Sequence, residues 1–163
     1  GGPKKVVVPV GIDQDPHIRL TRDIAHKLHE ESGFLSPAST YHRFLTGLTG
    51  DKMSSSKPNT AIYLNDDTKT AVKKVKSAKT GGRESLKEQQ ELGGEVDKCV
   101  IYEMLLYHFI EDDKELEQIR TDCLNGTIRC GDCKARTAEL MEEFFDDLHE
   151  KQIEAREIAK TLI

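Results

Sequence analysis

The fold is decided near the start of the chain by Val6-Val7-Val8-Pro9-Val10-Gly11-Ile12-Asp13-Gln14-Asp15-Pro16. The first half of this stretch is a near-continuous run of β-branched residues, which is typical of a strand buried on both faces of a parallel sheet. The second half is polar and leads into an amphipathic segment. We therefore predict a strand over residues 4–10 and a helix over about 17–31, with Asp15 as N-cap and Pro16 at the first helical position.

Two polar side chains, Asp13 and Gln14, come directly after the predicted strand. Ligands of open α/β sheets bind outside the carboxyl ends of the strands, so both side chains are predicted to face a crevice. The alternative is that they only cap the helix that follows.

A second polar stretch, Asp51-Lys52-Met53-Ser54-Ser55-Ser56-Lys57-Pro58, lies in the first third of the chain. Hydroxyl side chains compete for backbone hydrogen bonds and proline lacks a donor, so the stretch is predicted to be a mobile loop. An ammonium group, several hydroxyls and exposed backbone N–H groups can together hold a polyphosphate. A polar surface linker is the alternative.

The composition narrows the function classes. Lys and Arg number 24 against 29 Asp and Glu, which gives a net charge of −5 and argues against a protein that binds nucleic acid through overall basic charge. There is no apolar run of about 18 residues and no leader pattern, so we expect no membrane span and a cytoplasmic location. One local segment departs from the acidic average. Between residues 69 and 83 there are basic residues and no acid, and we predict a phosphate-binding surface for a nucleic acid, made by Lys69, Lys73, Lys74, Lys76, Lys79 and Arg83.

Helical periodicity dominates the chain after about residue 65, where we place a domain boundary. A short helical piece is also predicted over residues 41–48, before that boundary. The longer helices are predicted over about 67–79, 97–109, 114–124 and 132–162. The sequence thus predicts a mostly α fold with a β–α piece at its start.

All four cysteines lie within one segment and are spaced C-x23-C-x6-C-x2-C. Thiols of cytoplasmic proteins are kept reduced, so converging thiols are better interpreted as metal ligands than as disulfides, for either Zn²⁺ or an iron–sulfur cluster. The alternative is two ordinary buried cysteines and a free CxxC pair. The candidate ligands are Cys99, Cys123, Cys130 and Cys133.

The two polar stretches together carry a resemblance to a known family. Residues 8–25 resemble the strand, loop and helix of tryptophanyl-tRNA synthetases of the archaeal and eukaryotic type, and Lys52-Met53-Ser54-Ser55-Ser56 is similar to the second signature of class I aminoacyl-tRNA synthetases. The usual form of that signature has a lysine where this chain has Ser55. The resemblance extends from Val6 to the end of the chain.

The resemblance implies a role for each candidate residue. Asp13 and Gln14 would bind L-tryptophan, and Arg83, Glu84 and Lys134 would contact the anticodon of tRNA(Trp). The ATP phosphates, with Mg²⁺, would meet Lys52, Ser54 and Ser56. The cysteine spacing is similar to that of a four-iron four-sulfur (4Fe–4S) site in some family members.

The resemblance also implies an architecture and an activity. Residues 1–65 would be the last part of a Rossmann catalytic domain, and residues 66–163 an α-helical anticodon-binding domain. The activity would be ATP-dependent aminoacylation of tRNA(Trp) through tryptophanyl-adenylate, by a protein that forms homodimers. None of the six histidines is followed by Gly-His, as the first class I signature requires. We therefore expect a carboxy-terminal fragment that does not activate tryptophan alone. Tyrosyl-tRNA synthetase, or a stand-alone RNA-binding helical module, are the alternatives.

Overall fold

The computed structural model describes residues 2–162, and the chain divides into two compact units, 1–44 and 45–163. In the first unit, strand β1 (Val7–Gly11) pairs in parallel with β2 (Ala38–His42). Helices α1 (Asp15–Lys27) and α2 (His29–Ser32) connect the two strands. Parallel strands need such a crossover, so the predicted β–α piece is confirmed.

The first unit also departs from the sequence prediction in three places. Strand β1 begins at Val7, and the Val7 side chain is exposed, so the valine run is not buried on both faces here. Asp15 lies inside α1, and the N-cap position belongs to Gln14. The segment 41–48, predicted to be helical, instead contributes the end of β2, because pairing with β1 determines the conformation of Tyr41 and His42.

The second unit is helical, which confirms the prediction of a mostly α fold. It contains α3 (Thr68–Ser77), α4 (Leu86–Leu92), α5 (Val100–Met104), α6 (Asp113–Leu124) and the long α7 (Cys130–Lys160). Helix α3 packs along α7. Between them lies the main hydrophobic core, which includes Leu48, Ala71, Val75, Val100, Ile101, Ala138, Met141 and Phe145.

Local capping signals fix several helix ends in this unit. The Asp67 carboxylate accepts a hydrogen bond from the Thr70 N–H and starts α3, and Asp112 does the same for Lys114 at the start of α6. Gly126, with φ 70°, follows the end of α6. The predicted helix over 97–109 is less regular than expected, since it consists of a 3-10 turn (Val96–Lys98), α5 and a π-helical segment (Leu105–Phe109).

The contact-based division falls at residues 44/45. The boundary expected near residue 65 concerns functional domains and stays a prediction. Within residues 2–162, no helix is long and apolar enough to cross a membrane.

Candidate functional site

The serine-rich segment 51–58, here called the signature loop, forms backbone hydrogen bonds to the buried hydroxyl of Thr60. The Oγ1 of Thr60 accepts a hydrogen bond from the Ser54 N–H at 3.0 Å and donates one to the Lys57 carbonyl at 2.7 Å. The Lys57 N–H donates to the Ser54 carbonyl at 3.0 Å, and the Oγ atoms of Ser54 and Ser56 lie 2.8 Å apart. The serine hydroxyls are thereby held together on one turn. The mobility expected of this loop stays a prediction.

The base of the signature loop is tied to the helical core. Lys52 pairs with Thr46 in an isolated antiparallel bridge, and the Thr46 N–H donates to a carboxylate oxygen of Glu103 on α5 at 2.9 Å. The Lys52 side chain is exposed. Lys52 thus lies in the bridge that precedes the turn, and Ser54 and Ser56 meet on the turn itself, so the segment carries a cation and hydroxyl donors able to bind an anion.

In the first unit, Asp13 and Gln14 lie on a 3-10 turn (Ile12–Gln14) at the carboxyl end of β1, and both are exposed. The Gln14 side chain makes no capping hydrogen bond to α1, which argues against the simple capping interpretation for this residue. A side chain on Gly11 would crowd Asp13, because its Cβ would lie 2.9 Å from Asp13 Oδ1.

Asp15, predicted to be a cap, instead links the crossover helix to β2. The hydroxyl of Tyr41 donates a 2.6 Å hydrogen bond to Asp15, and Arg19 forms an ion pair with the same carboxylate. The Tyr41 hydrogen bond, followed by the charge of Arg19, lowers the pKa of Asp15. The sequence gives no signal for the contact with Tyr41, since the two residues belong to different elements.

The loop between α3 and α4 fixes Arg83 from three sides. The Arg83 N–H donates to Oε1 of Gln89 at 3.1 Å, and its Nε donates to the Gly93 carbonyl at 2.9 Å. The guanidinium also lies 3.9 Å from the Glu95 carboxylate. Helix α4 begins immediately afterwards with a reciprocal capping box between Ser85 and Glu88.

An open cavity of about 310 Å³, here called the arginine cavity, lies beside this loop and is lined by Arg83, Glu84, Gln89 and Arg129, among others. The predicted pair Arg83 and Glu84 thus meets at one surface. Lys134 lies on α7 and is not among the residues that line the cavity. Arg129, which sequence reasoning missed, lines it instead.

The exposed basic surface formed by residues 69–83 is smaller than the charge pattern predicted, because one of its lysines is mostly buried. Lys74 turns inward and places Nζ 2.5 Å from Asp66 Oδ2, with 16% of each side chain exposed, and its Nζ lies 4.9 Å from the centre of the Tyr63 ring. The other basic residues of the segment are exposed: Lys69, Lys73, Lys76, Lys79 and Arg83.

The four cysteines line one small apolar cavity of about 20 Å³, so the expected convergence of the thiols is found. Burial raises the pKa of Cys133 to about 12, with further contributions from the three other thiols. Burial likewise raises the pKa of Cys123. Within residues 2–162, the structure contains no group of three or more His, Cys, Asp or Glu side chains arranged closely enough to hold a metal ion.

Comparison with known proteins decides the family. The sequence model of the family described as tRNA synthetases class I (W and Y) matches residues 3–146 of this chain. The chain belongs to this family.

Two archaeal members show how close the likeness is. The chain is 59% identical over 161 residues to the tryptophan–tRNA ligase of Methanocaldococcus jannaschii, covering 99% of this chain and 43% of that relative. It is 53% identical to that of Methanopyrus kandleri, covering 96% of this chain and 41% of the relative. The chain therefore spans less than half the length of these synthetases.

Solved structures separate the two branches of the family. The tryptophanyl-tRNA synthetase from Aeropyrum pernix matches with a TM-score of 0.90 and 46% identity, over 97% of this chain and 43% of that chain. The tyrosyl-tRNA synthetase from Aeropyrum pernix matches with a TM-score of 0.69 and 24% identity, which shows the fold alone. The tryptophanyl branch is the better match.

Within this synthetase fold, two glycines leave room for the thiols. A Cβ on Gly94 would lie 2.7 Å from Cys123 Sγ, and a Cβ on Gly82 would lie 2.9 Å from Cys130 Sγ. The set of four thiols has the donor chemistry of a Zn²⁺ or iron–sulfur site, and the glycine contacts seat two of the sulfurs against backbone. The donor set thus fits such a group, although the side chains as placed do not close around an ion.

Proposed function

We propose that this chain is the part of a tryptophanyl-tRNA synthetase that carries the signature loop and the anticodon-binding helices. The whole protein would aminoacylate tRNA(Trp) with L-tryptophan through tryptophanyl-adenylate. The observation that carries the proposal is 59% identity, across 99% of this chain, to a tryptophan–tRNA ligase. That match includes the stretch after β1, the signature loop and the helices that follow.

The chemistry of amino-acid activation suits the residues of the loop. The tryptophan carboxylate attacks the α-phosphorus of ATP and pyrophosphate leaves, so the reaction needs positioning and charge neutralisation rather than a general base. Lys52 would neutralise phosphate charge, while the hydroxyls of Ser54 and Ser56 would donate hydrogen bonds to phosphate oxygens. Because Ser55 replaces the usual second lysine, Mg²⁺ or Lys57 would carry part of that neutralisation.

The remaining candidates would hold the other two substrates. Asp13 and Gln14 would bind the polar atoms of L-tryptophan. In the arginine cavity, the Arg83 guanidinium can stack on an unpaired base and the Glu84 carboxylate can accept from a cytosine amino group, which suits a CCA anticodon. The exposed lysines of α3 would contact phosphates, and Lys134 would lie near the anticodon.

Binding to RNA tests the anticodon assignment on this chain itself. In a gel shift, unmodified chain should bind tRNA(Trp) more tightly than the same transcript with an altered anticodon. Arg83→Met should weaken binding to the CCA transcript by roughly tenfold or more. Lys87→Met, an exposed change on α4, is the matched control and should have a much smaller effect. Binding that ignores the anticodon would favour a stand-alone RNA-binding module.

Pyrophosphate exchange tests the catalytic assignment. We expect none above background from this chain with ATP and tryptophan, because no histidine in it is followed by Gly-His. Exchange that depends on tryptophan is expected of the full-length protein. Exchange that depends on tyrosine would instead select the tyrosyl alternative. The cytoplasmic location and the homodimer stay predictions, the second of which sedimentation of the full-length protein would test.

We also propose that Cys99, Cys123, Cys130 and Cys133 bind a 4Fe–4S cluster or Zn²⁺. The support is that all four line one cavity and form a donor set suited to either group. A bound cluster or ion would serve as a structural crosslink between α6, α7 and the segment before α5. Elemental analysis of anaerobically prepared protein would identify the group as iron or zinc. If neither metal is found, the thiols are free and the proposal is wrong.

A further inference from the structure

Gln89, in the middle of α4, is a buried polar side chain with only 4% of its surface exposed. Its Oε1 accepts the hydrogen bond from the Arg83 N–H. Since a backbone N–H can only donate, this contact fixes which end of the amide is oxygen and which is nitrogen. The amide nitrogen therefore faces away from the Arg83 backbone.

That nitrogen lacks an acceptor. Among the described side chains, Nε2 of Gln89 is the buried polar atom that has no hydrogen-bond partner. A Cβ on Gly94 would lie 2.8 Å from this nitrogen and 2.7 Å from the sulfur of Cys123, so the two atoms are neighbours above Gly94. A neutral thiol is a weak acceptor, whereas a thiolate is a strong one.

The other end of the same amide lies toward a second cysteine. A Cβ on Gly82 would lie 2.9 Å from Cys130 Sγ and 3.8 Å from Gln89 Oε1. Gln89 thus sits between two of the candidate ligands and the backbone of Arg83.

We infer that Gln89 is a positioning residue that connects the cysteine site to the arginine cavity. Its Nε2 donates a hydrogen bond to the sulfur of Cys123 when that sulfur is a metal-bound thiolate, and its Oε1 holds the Arg83 N–H. Buried donors of this kind orient metal ligands and strengthen metal binding. Filling the site therefore fixes the amide and, through it, the backbone of Arg83. This inference rests on the proposal that the four cysteines bind a metal.

Metal titration of this chain tests the inference with two matched variants. Gln89→Glu keeps an acceptor for the Arg83 N–H but replaces the donor with an oxygen that repels a thiolate. Gln90→Glu makes the same charge change at the neighbouring exposed position. The probes are Co²⁺, followed by its thiolate charge-transfer absorption, and Zn²⁺ in competition with a chelator. We expect affinity to fall by about 10- to 100-fold in Gln89→Glu and to change little in Gln90→Glu.

A measurement on the unchanged chain guards against misfolding of the variant. On addition of Zn²⁺, the side-chain amide protons of Gln89 should shift in the NMR spectrum and become protected from exchange, and the Arg83 backbone amide should respond with them. Metal binding without these responses, or with equal affinity in folded Gln89→Glu, overturns the role of Gln89 alone. Failure of the unchanged chain to bind either ion, together with the absence of iron from anaerobically prepared protein, overturns the metal proposal and this inference together.

Discussion

The Oγ1 of Thr60 bonds to both ends of the turn 54–57 within the signature loop, since it accepts from the Ser54 N–H and donates to the Lys57 carbonyl. One buried hydroxyl thus sets the geometry of the turn that carries the serines. Removing it leaves the Ser54 N–H without its partner, whereas the Lys57 carbonyl still accepts from the Thr60 backbone N–H at 2.9 Å, so we expect a cost of about 1 kcal/mol.

We therefore expect Thr60→Val, which keeps the side-chain shape, to loosen the loop. Trypsin should cleave after Lys52 several-fold faster in this variant than in the unchanged chain, because the opened loop fits the protease more readily. Thr60→Ser keeps the hydroxyl and is the control. Equal cleavage rates in the valine and serine variants would show that the hydroxyl does not hold the loop.

The ion pair between Lys74 and Asp66 predicts a large loss of stability when one partner is removed. Both side chains are mostly buried, so Lys74→Met leaves an unpaired carboxylate and should lower the free energy of unfolding by about 3 kcal/mol. Lys73→Met, at the exposed neighbouring position, should change it by less than about 0.5 kcal/mol. Urea unfolding measures both, and similar values would contradict a structural role for the pair. Adding Asp66→Asn to Lys74→Met should restore part of the loss.

The same helix shows what a sequence can and cannot predict. Asp67 was identifiable as the start of α3 because a capping carboxylate acts on the N–H groups of its own first turn. The inward orientation of Lys74 was not identifiable, since it depends on Asp66 and Tyr63 lying over the same face. The charge pattern therefore overestimated the basic surface by one residue.

Non-local contacts explain the other differences. Strand β2 was missed because its sequence, Ala38–His42, lacks apolar alternation and is ordered by pairing with β1. In the arginine cavity, Arg83 was predicted from a resemblance, but Gln89 and Arg129 were not. Both reach the site from other elements, and no local pattern marks a side chain for that position.

Gly93, directly after α4, should not tolerate a side chain. Its φ is 70°, and a Cβ would lie 1.7 Å from the Leu124 carbonyl oxygen. Gly93→Ala must therefore displace the backbone around the end of α6, and we expect a loss of at least about 2 kcal/mol in the free energy of unfolding. Gly131→Ala is the control, because a Cβ there meets nothing within 4 Å and alanine favours the first turn of α7. A neutral Gly93→Ala would mean that α4 and α6 are not in contact at this point.

Two adjacent phenylalanines test the rotation of α7 about its own axis. Phe145 is 0% exposed in the core between α3 and α7, whereas Phe144 is 44% exposed, and their rings meet edge to face with centroids 5.6 Å apart. Phe145→Ala should cost about 3–5 kcal/mol, because it opens a cavity against Val75 and Ile101. Phe144→Ala should cost about 1 kcal/mol, through the lost ring contact and partial burial. Urea unfolding with unchanged m-values would measure both. The reverse order would require α7 to be rotated by about 100° about its axis, so that Phe144 rather than Phe145 faces the core.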